Sequence, residues 1–80
     1  MTHHILRLPA VKESTGLSRS TLYLRIANGV FTHQVSLGGR AVGWPADEVV
    51  ALNAARIAGK PDTEIRELVT QLEVARKAVA

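Results

Sequence analysis

The chain has 80 residues, 46% of them apolar and 4% aromatic, with ten Lys or Arg against seven Asp or Glu and a formal net charge of +3. A domain of this size buries only about 60–65% of its unfolded surface, which leaves little room for an enzymatic cleft. There is no cysteine for a disulfide or thiolate zinc site, no apolar run near the ~18 residues of a membrane span, and no apolar leader in the first ten residues, so a soluble cytoplasmic protein is expected.

Residues 1–7 read as a lead-in in which Ile5 and Leu6 form a short strand or extended segment. His3 and His4 are adjacent and point to opposite faces of a strand, so the pair reads as surface or tail and not as a metal site. Leu8-Pro9 opens a first helix, because Pro is tolerated where no N–H partner is needed. Val11 faces inward, Lys12 and Glu13 face water, and the helix ends near Thr15-Gly16.

Ser18 then caps a second helix of about three turns, and Gly29 ends it in the left-handed conformation. Two short helices so closely joined form a helix-turn-helix. The exposed first turn of the second helix carries Arg19, Ser20 and Thr21, where such a helix meets phosphates and base edges in the major groove. Leu22 and Ile26 share the core face. At 100° per residue, Ser20, Leu24, Ala27 and Asn28 lie opposite them, with Thr21 and Tyr23 on the flanks. Leu24 on the outer face reads as a contact to a thymine methyl or a partner protein, or as a tolerated surface apolar. Arg25 lies nearer the core and reaches toward a phosphate or toward an acid of the second half.

From residue 30 the period changes. Gln34-Val35-Ser36-Leu37 alternates, Gly38-Gly39 is a two-residue turn signal, and residues 40–44 supply the returning strand of a β-hairpin with Arg40 at its tip. A hairpin beside a helix-turn-helix is a wing, and an arginine on it reaches a phosphate or a narrow minor groove. Pro45 stands at the first position of a third helix, with Asp47 and Glu48 facing the positive end of its dipole and Val49 and Leu52 covering the hairpin and the second helix. After Gly59-Lys60-Pro61, Asp62 or Thr63 caps a last helix. Its stripe Ile65, Leu68, Val69, Leu72, Ala75 and Val79 either folds back on the domain or pairs residues 62–79 with a second copy.

Charge is divided unevenly. Residues 1–44 hold Arg7, Lys12, Arg19, Arg25 and Arg40 against Glu13 alone, whereas residues 45–80 hold five bases against six acids. The basic half contains the helix-turn-helix, as a nucleic-acid surface requires. Ser18, Ser20, His33 and the acids form no nucleophile–base–orienter set by spacing, and no glycine-rich phosphate loop follows a strand, so neither an enzyme nor a cofactor is expected.

Arg-Leu-Pro at 7–9, Thr-Gly-Leu-Ser-Arg-Ser-Thr-Leu-Tyr at 15–23, Gly29 with Phe31, and Leu-Gly-Gly-Arg-Ala-Val-Gly-Trp at 37–44 resemble the AlpA family of prophage regulatory proteins. The resemblance covers residues 5–58 and implies a winged helix-turn-helix related to phage excisionases and to the DNA-binding domain of MerR-type regulators. It implies transcriptional regulation of prophage genes, and in some relatives assistance of excision by DNA bending. It puts Ser18, Arg19, Ser20, Thr21 and Tyr23 on the DNA-facing helix and Arg40 on the wing. Three departures remove positive charge: Leu24 and Ser36 stand where basic residues are common, and Thr32-His33-Gln34 replaces a Pro-Lys-Pro-like segment. They imply a weaker salt dependence of DNA binding, by about 0.9 log unit of slope per lost contact. Asn53 stands where a large apolar residue is common, which implies a less anchored third helix.

The fold expected is mainly α with a small β-hairpin, a winged helix-turn-helix over residues 1–59 with an additional amphipathic helix over residues 60–80. The function expected is sequence-specific binding of double-stranded DNA by a nucleoid-associated regulator of a prophage or integrated element. Arg7, Arg19 and Arg40 would hold phosphates, and Ser20, Thr21, Tyr23 and Asn28 would read bases. The alternative is an architectural or assembly protein, an excisionase or a phage packaging subunit, that recruits a partner through its last helix.

Overall fold

The computed structural model describes residues 4–79, with Val79 given by its backbone alone; His3 and the side chain of Val79 lie outside the described residues. β1 (Ile5–Leu6) leads into α1 (Leu8–Thr15) and α2 (Arg19–Ala27), followed by β2 (Val35–Ser36), β3 (Val42–Pro45), α3 (Ala46–Ile57), α4 (Asp62–Ala75) and one 3-10 turn over Arg76–Val79.

The first two helices start and stop on local signals. Pro9 sits in the first turn of α1, and the helix closes where the N–H of Gly16 bonds the carbonyl of Lys12. The Thr15 hydroxyl donates to the Val11 carbonyl at 2.7 Å and accepts the Leu17 N–H at 3.3 Å, which pins the turn. Ser18 caps α2, and beyond Ala27 the N–H of Gly29 bonds the Ile26 carbonyl at 3.1 Å.

The hairpin gains a third strand. β1 and β2 flank β3, both antiparallel to it, with Leu6 opposite Trp44 and Val35 opposite Gly43. β3 is therefore the central strand, and β1 crosses it closely. A Cβ at Gly43 would lie 2.5 Å from Cγ2 of Ile5 and 3.0 Å from the Leu6 carbonyl oxygen, so only glycine fits without displacement. The wing tip differs from the two-residue turn expected. Leu37 N–H bonds the Ala41 carbonyl at 2.8 Å and Ala41 N–H bonds the Gly38 carbonyl at 3.0 Å, so the connection is Gly38-Gly39-Arg40. Gly38 and Gly39 both have positive φ, 100° and 56°, and this curls the chain enough to place Arg40 in the loop and not at the start of the returning strand.

Every helix contributes to one core: Val11 of α1, Leu22 and Ile26 of α2, Val49 and Leu52 of α3, and Ile65 and Val69 of α4 surround Trp44, Val30 and Phe31. Trp44 is fully buried, and its indole N–H donates to the Thr32 carbonyl at 3.0 Å. Leu68 and Leu72 pack on the same cluster. Burial of Ile65 and Val69 of the last helix contributes about 1.5–3 kcal/mol for each.

Two cap readings shift. Pro45 is still in β3 and forms the N-cap of α3, which starts at Ala46, one residue later than expected. α4 starts directly after Pro61 without a side-chain cap; the Asp62 carboxylate is drawn instead to Arg56 at 3.1 Å. Asn53 also behaves differently from a poorly anchored substitute for an apolar residue. Its Nδ2 donates to the Ser14 carbonyl at 3.0 Å and to the Ser14 hydroxyl at 3.3 Å, tying α3 to α1 by hydrogen bonds.

Candidate nucleic-acid interface

Leu22 and Ile26, 0% and 7% exposed, fix the rotation of α2 about its axis. Arg19, Ser20, Leu24, Ala27 and Asn28 are thereby exposed and Thr21, Tyr23 and Arg25 are half-buried, as a 3.6-residue period requires. At the N-terminus the Ser18 hydroxyl accepts the Thr21 N–H at 3.3 Å, donates to the Thr21 hydroxyl at 2.9 Å, and lies 3.4 Å from the Ser20 hydroxyl. These three hydroxyls form one cluster. Ser18 is spent on the cap, while Ser20 faces outward.

Tyr23 belongs to both the helix and the wing. Its ring meets Trp44 edge-on, with centroids 6.4 Å apart and planes at 67°, and the Arg19 guanidinium lies 5.7 Å from its centroid. This sandwich holds Arg19 at the edge of the outer face and couples α2 to β3. Arg7 reaches the wing as well: its Nε donates to the Val42 carbonyl at 2.9 Å, directing the guanidinium along the base of the hairpin. Arg40 is exposed at the tip. Asn28 lies about 13 Å along the axis from Arg19.

Arg66 of α4 is a residue that sequence reasoning missed. Its Nε donates to the Asn28 carbonyl at 3.1 Å, so α4 holds the C-terminal end of α2. The contact spans 38 positions and has no local signature, so only the tertiary fold reveals it.

The ion pairs separate the charges further. The pairs are Arg56–Asp62 and Arg76–Glu48, and Glu73 accepts the hydrogen bond of His33; each acid belongs to α3 or α4. Among the described residues Arg7, Lys12, Arg19, Arg25 and Arg40 make none, and Arg25 meets no acid of the second half. The positive charge of the helix-turn-helix and wing is therefore not neutralised by ion pairing among the described residues. Burial raises the pKa of Glu73, but the N–H and ring of His33 and the charge of Arg76 outweigh it and hold the carboxyl below its ordinary value. Arg76 is pushed up by its hydrogen bonds to Glu48, against the opposing effect of burial.

No group of three or more His, Asp or Glu among the described residues can hold a metal ion, and none of their helices is long and apolar enough to cross a membrane. A recess of about 240 Å³, lined by Ile5, Val35, Leu72 and Ala75 with the Arg76–Glu48 pair, touches no residue of α2.

A family model described as prophage CP4-57 regulatory protein (AlpA) matches residues 4–54, the span from β1 into α3. A protein of Enterobacteria phage P4, described as uncharacterized protein ORF88, is 54% identical over 55 residues, which is 69% of this chain and 62% of that protein. The match thus spans about three-fifths of the relative's length. No solved structure matches the chain.

Proposed function

Because the chain belongs to the AlpA family of prophage regulatory proteins, we propose that it binds double-stranded DNA at specific sequences and regulates transcription of a prophage or integrated element. The observation that carries this reading is that Arg19 on α2, Arg7 against the wing strand and Arg40 at the wing tip are exposed and enter no ion pair among the described residues. Phosphate contacts by these three fix the register, α2 enters the major groove with Ser20 and Asn28 directed at base edges, and Thr21 and Tyr23 reach bases or sugars from the flanks. The protein acts in the cytoplasm at the nucleoid.

Binding to the promoter and attachment regions of the encoding element, measured against random duplex, tests the reading. Site preference that weakens in Arg19→Ala and Arg40→Ala is expected. Equal affinity for both DNAs, unchanged in both variants, would refute it. The alternative of an adaptor that recruits a partner or pairs through residues 62–79 finds less support, because Ile65 and Val69 are already buried in the chain's own core. It would have to use exposed positions such as Glu67, Gln71 and Val74.

A further inference from the structure

The outer face of α2 has an apolar centre within a polar and basic rim. Leu24 is 59% exposed, while Leu22 and Ile26 on the opposite side of the same helix are buried. Its neighbours on that face, one turn away in either direction, are Ser20, Ala27 and Asn28, all exposed and none charged. The arginines stand to the sides, Arg19 held against Tyr23 and Arg7 against the wing strand. Leu24 cannot turn inward without turning Leu22 out, and both ends of the helix are fixed, by the Ser18 cap and by Arg66 on the Asn28 carbonyl.

From this geometry we infer that Leu24 reads the 5-methyl group of a pyrimidine, so that the DNA site carries thymine or 5-methylcytosine beneath the middle of α2. The inference rests on the DNA-binding reading above and goes beyond it by naming the chemical group recognised. A leucine neither donates nor accepts a hydrogen bond. Set against the amino or carbonyl edge of a base it would strip water from that edge and return nothing. The apolar feature that the major groove offers is the C5-methyl group. Ala27 extends the apolar centre, while Ser20 and Asn28 satisfy polar edges of the adjoining base pairs.

Selection from a randomised duplex library gives the preferred site, and each thymine in it is then replaced singly by uracil, which removes the methyl and leaves every hydrogen-bonding group. Uracil at one or two central positions is expected to weaken binding about fourfold each, the effect of one buried methyl. Leu24→Ala, which leaves the core untouched, should make thymine and uracil equivalent there, and Leu24→Met should retain the discrimination. Comparing cytosine with 5-methylcytosine at the same central positions tells which pyrimidine supplies the methyl. A defined site that tolerates uracil throughout and does not distinguish cytosine from 5-methylcytosine, or methyl discrimination that survives in Leu24→Ala, overturns this inference alone. Selection that yields no preferred sequence overturns it together with the DNA-binding reading.

Discussion

Arg76 grips Glu48 with two prongs, Nε to Oε2 at 2.8 Å and Nη2 to Oε1 at 2.7 Å, at a carboxylate that is only 3% exposed. From the sequence Glu48 reads as an acid facing the positive end of a helix dipole; the fold makes it the buried half of an ion pair across 28 positions. Removing one partner leaves the other charge without compensation. Arg76→Met is expected to cost about 3 kcal/mol in urea unfolding, and Glu48→Leu combined with Arg76→Met to cost less than Arg76→Met alone. Additive losses would show that the two groups are not coupled.

The neighbouring His33–Glu73 contact predicts acid sensitivity. Glu73 has a lower pKa folded than unfolded, so its stabilising contribution is present above the ordinary value of 4.5 and lost as pH falls through the folded value. Arg76, held above its ordinary value by its hydrogen bonds to Glu48, contributes in the opposite sense and keeps its effect throughout the accessible range. Thermal unfolding of the native chain and Glu73→Gln should therefore differ at pH 7 and converge as the pH falls below that lowered value. A gap that stays constant with pH would refute the assignment.

Salt dependence separates the arginines proposed to meet phosphates from those that hold the fold. Arg40→Ala and Arg19→Ala should each reduce the slope of log affinity against log salt by about 0.9. Arg56→Ala, which loses a partly exposed pair with Asp62, should leave that slope unchanged and cost at most ~1 kcal/mol of stability. Equal slopes in all three variants would remove Arg19 and Arg40 from the interface.

Thr32 carries an internal inconsistency that can be relieved. The residue is fully buried, its carbonyl receives the Trp44 indole N–H, and its hydroxyl has no hydrogen-bond partner. Thr32→Val keeps the shape and the backbone bond and removes the unsatisfied group. It is expected to raise stability by about 1 kcal/mol, roughly 4–8 °C in melting temperature. A lower melting temperature would mean that the hydroxyl is satisfied in solution.

The parts of the fold legible in the sequence are those encoded over one or two turns. Pro9, Gly16, Ser18 and Gly29 bound the two helices, Leu22 and Ile26 set the outward face of α2, and Gly38-Gly39 marks the wing. The parts that were not legible depend on groups far apart in the chain. A two-residue strand such as Ile5–Leu6 has too little period to announce that it pairs with β3. Nothing near Asn53 points to Ser14, and nothing near Asn28 points to Arg66. In the candidate site the exposure of Ser20, Leu24 and Asn28 follows from period alone. The placement of Tyr23 against Trp44 required the sheet to be in place first.

Arg66 holds the carbonyl at the end of α2, while Glu73 and Arg76 grip the backbone N–H and carbonyl of His33, just before β2. α4 with the 3-10 turn after it is thus a strut bolted to α2 and to the segment before the hairpin, and it lies beyond residue 54, where the family match stops. In the DNA complex proposed above, the distance between the helix in one groove and the hairpin over the next would be set by a segment that itself meets no DNA. Two relatives with identical helix-turn-helix and wing sequences but different struts would place their hairpins differently, and would so prefer DNA of different groove width.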